Sequence, residues 1–435
     1  MDNLLAARIQ MGTSLAFHII FACIGMVMPA LMTSSYAKYI RTRDEEYLRL
    51  TKMWMKGVAI FFAVGAVSGT LLSFELGLLW PNFMEHAGPI FGMPFSYEGA
   101  AFFLEAIFLG IFLYGFDRVP EKIHWISSLM VSISGVLSGI FITSANAWMN
   151  SPSGFKFDPV TKIYSDIDPI AAMFNDAWAS QATHMILAAF SASSIAVIGI
   201  HSLLVLKGIN LDFNKKAIKI ALPFFLVSSL LQPLSGDLSA KDIAQRQPEK
   251  LAAMEAHFKT EKGASLLIGG LPNEEEETVE WGIKIPYLLS ILSFGDPQAV
   301  VKGLEEFPKE ERPPVLIPHL AFQIMVGIGT LFLLISLYTL FLIVRKKTSF
   351  PRNLYRIFAL CTPLGFLAVE AGWTVTEVGR QPWIIYKVMK TSEALTPMEG
   401  IGYSAFFFIF LYVFLGVLVT WLFYRQVKKY QGYKL

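Results

Sequence analysis

The stretch LYRIFALCTPLGFLAVEAGWTVTEVGRQPW, Leu354–Trp383, decides how this chain folds. Its first two thirds are mostly apolar and long enough for one helix to cross a hydrocarbon core of about 30 Å. It closes on GWTVTEVGRQPW (372–383), in which Glu377 and Arg380 are read as following directly on the apolar helix. Trp373 and Trp383 favour a membrane interface, and Pro382 stops a helix. A carboxylate at that depth normally faces a protein interior, a cofactor or an ion path. The stretch therefore predicts a membrane helix that ends on a functional polar cluster.

Working outward, the whole chain has the same character. Its 435 residues are 54% hydrophobic, 14% aromatic and only 16% charged. Nine stretches reach the length of a span: 12–36, 54–79, 95–116, 125–148, 178–206, 217–233, 316–344, 353–373 and 401–424. The expected fold is an all-α integral membrane protein, one domain over residues 1–435, with about nine transmembrane helices. The first span is not read as a cleavable signal peptide, because its leader is weakly basic and its apolar run too long.

Basic residues gather in alternate connections: Arg41, Arg43, Lys52 and Lys56, then Arg118 and Lys122, then Lys207, Lys215 and Lys216. Arg345, Lys346 and Lys347 follow, then Arg425, Lys428 and Lys429. The other short connections carry no basic residue between Trp80 and Pro94, and only Lys156 and Lys162 between Asn150 and Ala177. The N-terminus is therefore expected outside and the C-terminus inside. The net charge of +2 expresses that bias and points to no nucleic acid. Cys23 and Cys361 fall in apolar spans and no CxxCH occurs, so neither a disulfide framework nor covalently attached haem is expected. One long connection, 234–315, is expected outside; it is polar and holds the acidic run Glu274–Glu277.

Polar side chains inside the spans form a layer. With that topology His18 lies about two turns below the outer end of its span. Glu98 and Glu105 share one face of the third span, and His184 and Met325 lie near the outer ends of the fifth and seventh. The fourth and eighth run outward and finish near Asn146 and Glu377. All seven are expected in the outer half of the bilayer, whereas independent structural residues would scatter over depth. Histidine and methionine are haem-iron ligands; a His/Met pair suits a low-spin haem, and a lone histidine serves iron that keeps one position open. The same residues admit plainer readings. A histidine can be hydrogen-bonded between helices, a methionine can fill a packing gap, and carboxylates can couple ion transport in a haem-less carrier. His86, His124, His201, His257 and His319 are read as loop or helix-end residues, solvated or structural.

Seven segments, in order, resemble subunit I of the cytochrome bd quinol oxidases. They are ARIQMGTSLAFH (Ala7–His18), YEGAAFFLEAIFLGIFLYG (Tyr97–Gly115), SANAWMN (Ser144–Asn150), QATHM (Gln181–Met185), KLAAMEAHF (Lys250–Phe258), FQIMVG (Phe322–Gly327) and GWTVTEVGRQPW. The last is the most specific, and the set spans nearly the whole chain. The resemblance implies that His184 and Met325 hold a low-spin haem b. It implies that His18 holds a high-spin, oxygen-binding haem d and Glu377 a high-spin haem b, all in the outer half of the bilayer. Trp373 and Arg380 belong to the same motif, as cofactor-binding and catalytic residues respectively. Glu98, Glu105 and Asn146 match groups that deliver protons to the high-spin pair.

Lys250 and Glu255 match the quinol-binding segment of the external Q-loop. The implied activity is that of a terminal oxidase that oxidises membrane quinol, reduces O2 to water and separates charge without pumping protons. The implied setting is a bacterial cell membrane, with lipid around the chain, a subunit II and a small single-span subunit. The loop lacks the long insertion of some members, a short-loop form that includes cyanide-insensitive relatives whose third haem is b-type in place of d. Gln323 stands two residues before Met325, where some members carry arginine. A quinol-linked cytochrome that leaves O2 untouched is the other haem-containing alternative.

Within the loop, EKLAAMEAHF (249–258) reads as an amphipathic helix with Leu251, Met254 and Phe258 on one face. Lys250 and Glu255 are five apart and so form no i, i+4 pair. They are either solvated surface charges or residues that meet a quinol hydroxyl.

Overall fold

The structure, a computed structural model, describes residues 2–158, 160–161, 163–346 and 350–431. Lys162 and Lys347, counted above for topology, lie outside the described residues. In chain order the helices are α1 (Asn3–Thr42), α2 (Glu45–Leu79), α3 (Pro81–Tyr114), α4 (Glu121–Asn150), the short α5 (Pro169–Met173), α6 (Trp178–Leu206) and α7 (Leu211–Arg246). After them come the short α8 (Pro248–Met254) and α9 (Leu288–Phe294), then α10 (Leu316–Val344), α11 (Arg352–Leu360), α12 (Leu364–Val378), α13 (Thr391–Ala394) and α14 (Ile401–Gln431). Among the described residues nine helical stretches are long and apolar enough to cross a membrane.

Three boundaries differ from the expectation. α3 starts at Pro81, so 81–94 is helical and not a connection, and His86 lies on a helix. The proline fits the first turn, where no intrahelical donor is lost, and Phe83, Ala87, Ile90 and Phe91 form a buried stripe at helical spacing. α7 continues through Pro233 to Arg246, so the long connection begins at 247 and not at 234. Hydropathy ends at the first charges, but Asp237–Lys241 and Asp242–Arg246 are i, i+4 pairs that favour further helix. The eighth span is broken near Pro363 into α11 and α12, and α12 runs to Val378, so Glu377 sits on the helix and not after it.

α1 is central and packs on α2, α4, α6 and α14, while α6, α7, α10 and α12 form a second group. Met26, Leu31, Met32, Phe112 and Phe225 lie in one continuous core. The outward faces are apolar too, with Phe103 68% and Phe406 75% exposed, which suits lipid and not water. Polar contacts close both ends of the bundle. One carries ion pairs, Arg43–Glu121 at 2.5 Å and Lys216 at 2.6 Å from both Asp44 and Asp212. At the other, Thr396 N donates to Leu79 O at 3.0 Å and Tyr386 N to Met149 O at 3.0 Å.

The connection after α7 folds over that second end. Leu266–Ile268 pairs antiparallel with Ile283–Ile285, and Leu271–Asn273 with Thr278–Glu280. Its acidic run has structural work: Glu274 Oε1 accepts from Val315 N at 2.8 Å and Leu316 N at 3.2 Å at the start of α10, and Glu277 pairs with Arg312 at 3.2 Å. Gln323 fastens the loop to α10, donating to Leu267 O and accepting from Gly269 N, both at 3.0 Å. Gln323→Ala should therefore loosen 266–269, losing about 1–3 kcal/mol of local protection in amide exchange as buried backbone groups lose partners.

The helix expected over 249–258 stops at Met254, and Ala256 takes a left-handed φ of 50°. Lys250 and Glu255 are only 3% and 5% exposed, which overturns their reading as solvated surface charges. His124, His201, His257 and His319 are all buried. Their roles are structural: His124 bonds Tyr36 Oη and Phe112 O, His201 bonds Asn214, His257 bonds Val301 O, and His319 bonds Met254 O and Gly269 O.

Candidate functional site

His18 leans from α1 onto α2. Its ring lies against Gly69, where a Cβ would come within 2.9 Å of Cε1, so only glycine allows this approach. Nδ1 is 2.9 Å from Ser68 Oγ, and Ser68 in turn donates to Val64 O at 2.9 Å. With that hydroxyl proton committed, Nδ1 carries the proton and Nε2 keeps a lone pair.

His184 repeats the device on α6. Its Nδ1 lies 3.0 Å from Ser235 Oγ on α7, and Ser235 donates to Gln232 O at 2.9 Å. Nε2 is again left with a lone pair, and the Gln232 amide nitrogen sits 3.2 Å from it. Met325 projects from α10 toward α12, where a Cβ at Gly372 would meet its Sδ at 3.0 Å. The two candidate ligands thus belong to one group of packed helices, α6, α7, α10 and α12.

The polar end of α12 is a hydrogen-bonded cluster. Asn146 Nδ2, from α4, donates to Glu377 Oε1 at 2.6 Å, and Arg380 donates to Oε2 at 2.5 Å. Both oxygens are held as an anion's would be, yet each retains a lone pair. Arg380 is 3% exposed, so its charge is compensated by Glu377 in a low-dielectric place.

Glu98 and Glu105 face α4. Ser138 donates to Glu98 at 3.0 Å, and Glu105 Oε2 would lie 3.5 Å from a Cβ at Gly135, beside Gly25 and Met26 of α1. Gly135 and Ser138 lie near the midpoint of α4, so Glu105 and Glu98 face the middle of that helix, whereas Asn146 stands near its end.

In the loop, burial pushes the Glu255 carboxyl up to about 8. Burial drives the Lys250 ammonium well below its ordinary range, aided by Arg380 and opposed by Glu377 and Glu249. Glu255 makes no bond to Lys250; Lys250 instead donates to Asn150 Oδ1 at 2.6 Å.

Several polar residues escaped the sequence reading. Gln10 donates to Glu75 at 3.0 Å with both side chains fully buried, and Glu370 faces an open apolar groove between α1 and α14. Both carboxylates lie within apolar spans, so a full census of intramembrane acids finds them. Ser68, Gln232, Ser235, Asn150 and Glu249 carry no such signal.

The residues fit haem. His18 and His184 each turn Nδ1 to a serine and leave Nε2 as the nitrogen for a ligand bond, with the Gln232 amide nitrogen beside it at His184; glycines let His18 and Met325 pack closely on the neighbouring helices, and imidazole with thioether suits iron. Trp373 Nε1 and Arg380 Nε and Nη1 are buried donors without a protein partner, as propionate carboxylates would require.

The sequence model of the family described as cytochrome bd terminal oxidase subunit I matches residues 6–431. A Bacillus subtilis (strain 168) chain, provisionally named a cytochrome bd menaquinol oxidase subunit I, is 37% identical over 435 residues, covering 99% of this chain and 98% of its own length. Cytochrome bd ubiquinol oxidase subunit 1 of the same organism is 33% identical, over 99% and 94%. The structure of bd oxidase from Geobacillus thermodenitrificans superposes with a TM-score of 0.92 at 38% identity, covering 98% of this chain and 99% of that one. These relatives give no support to a haem-less carrier or to a cytochrome that leaves O2 untouched. A match over nearly the whole length, a shared fold and a haem-compatible ligand set lead to one conclusion: the chain belongs to the cytochrome bd terminal oxidase subunit I family.

Proposed function

We propose that this chain is the quinol-oxidising, O2-reducing subunit of a bacterial membrane oxidase, with His184 and Met325 holding a low-spin haem b. Glu377 would hold a high-spin haem b and His18 the oxygen-binding haem, d-type or b-type. When bound, these groups supply electron transfer from quinol and reduction of O2 to water. The observation that carries the reading is the pair of intramembrane histidines, each with Nδ1 against a serine hydroxyl that donates to a backbone carbonyl, which leaves Nε2 for a ligand bond, the Gln232 amide nitrogen being its neighbour at His184. The positive-inside bias supports an outer location for the loop and for these ligands. A subunit II, lipid and a small single-span subunit would cover the exposed apolar faces.

The chain's own residues have distinct tasks. Asn146 and Arg380 hold the Glu377 carboxylate in one orientation. Trp373 and Arg380 offer donors to carboxylates on the cofactor. Glu98, with Ser138, and Glu105 hold protons on their way from the inner side, so charge separates without a pump. Lys250 and Glu255 belong to the quinol segment, Lys250 as its anchor and Glu255 as the acceptor of a hydroxyl proton.

Glu255 supplies the test. As a base it works ionised, so quinol-driven O2 uptake should rise as pH passes through about 8, and Glu255→Gln should flatten that rise. A donor that bypasses quinol should support equal uptake in both proteins, with haem spectra unchanged. Equal loss with both donors would remove Glu255 from the quinol site. The same shift predicts a stability slope. Between the ordinary carboxyl value of 4.5 and about 8 the folded chain keeps a proton the unfolded chain has lost. That contribution is complete below 4.5 and fades as pH rises toward 8.

A further inference from the structure

Lys250 is the side chain by which the external loop reaches the end of α12. Its stem crosses Gly379, where a Cβ would come within 3.1 Å of the lysine Cγ. Nζ donates to Asn150 Oδ1 at 2.6 Å, and Asn150 Nδ2 donates to Asn146 Oδ1 at 3.1 Å and to Asn146 O at 3.0 Å. Asn146 Nδ2 then donates to Glu377 Oε1 at 2.6 Å. The sense of this chain is fixed from the Glu377 end: a carboxylate only accepts, so Asn146 turns its oxygen to Asn150 and Asn150 turns its oxygen to the Lys250 nitrogen. If Asn150 turned over, two donors would face each other at Lys250 and two acceptors at Asn146.

We propose that Lys250 is a positioning residue for Glu377: through Asn150 and Asn146 it fixes which way the last amide points, and so makes the external loop and the Glu377 haem site one hydrogen-bonded unit. This rests on the reading of Glu377 as a haem ligand. Each donor polarises the next, so the strength of the final bond to Oε1 depends on the first. A displacement of α8 as quinol enters or leaves the loop reaches Glu377 by the same three bonds. Reduction of the haem adds an electron, which donors and cations near its ligand favour. Removing them therefore lowers its midpoint potential.

The test is a spectroelectrochemical titration of the purified, intact oxidase carrying Lys250→Met, which keeps the stem on Gly379 and removes the donor. Asn150→Leu and the double variant complete the set. At a fixed potential each single variant should raise the oxidised-to-reduced ratio of the Glu377 haem roughly tenfold, the size of one hydrogen bond to a charged group. The double variant should go no further than either single, as members of one chain are not additive. The His184/Met325 haem should keep its potential, which also reports correct folding. An unmoved Glu377 haem in Lys250→Met, or single shifts that add in full, overturns the proposal. If Lys250→Met assembles without pigment, Asn150→Ser carries the same expectation without touching the loop. Failure of the underlying ligand reading appears separately, as high-spin pigment retained in Glu377→Ala, and takes this inference with it.

Discussion

Met325→Leu should abolish the reduced low-spin haem spectrum of the oxidase, or turn it high-spin, while the fold persists. Leucine nearly conserves the volume, so packing around Gly372 is little disturbed and only the sulfur is lost. Iron held by His184 alone would lose the strong field that a His/Met pair provides. Quinol-driven turnover should fall by at least the roughly 10–100-fold that follows loss of an outer-shell partner, since here a ligand itself is removed. His184→Ala should match it. Reduced-minus-oxidised spectra of the two variants decide the matter: a low-spin band unchanged in both rejects the pair.

Glu105→Gln and Glu377→Ala should separate proton handling from ligation. Glutamine keeps the shape and hydrogen bonding of Glu105 but cannot ionise. Glu105 is 6% exposed between α1, α3 and α4, where no bulk water replaces a missing proton carrier. Turnover should therefore fall about 100-fold or more, the usual worth of a positioned acid or base. Pigment content should stay near that of the parent. Glu377→Ala, and likewise His18→Ala, should instead lose high-spin pigment along with activity. Glu377→Ala also strands Arg380, whose carboxylate partner at 2.5 Å is gone, so some loss of stability should accompany the pigment loss. Haem extraction and carbon monoxide difference spectra separate these outcomes. Full turnover in Glu105→Gln would reduce that residue to a packing role.

The nine apolar stretches and the character of the bundle were legible because a hydrocarbon core demands uninterrupted apolar length, a property of composition alone. The candidate ligands were legible for a related reason: His18, His184 and Glu377 are costly inside apolar helices, and each sits in a short, specific motif. Helix ends were less so. Hydropathy stopped at 233 where the helix continues to Arg246, because i, i+4 charge pairs and not apolarity sustain the last turns.

Only the tertiary structure decided what each polar group touches. Asn146 and Glu377 are 231 residues apart and Lys250 and Asn150 are 100 apart, so no local period brings them together. The serines that meet the histidine Nδ1 atoms, and the glycines that admit the His18 ring and the Met325 sulfur, are ordinary residues until neighbouring helices pack on them. The buried state of Lys250 and Glu255 follows from the loop folding back over the bundle. Sequence thus determined which elements form and which residues are chemically unusual, since both are properties of single segments. Packing between segments determined the partners, because hydrogen-bond geometry is satisfied across helices and not along them.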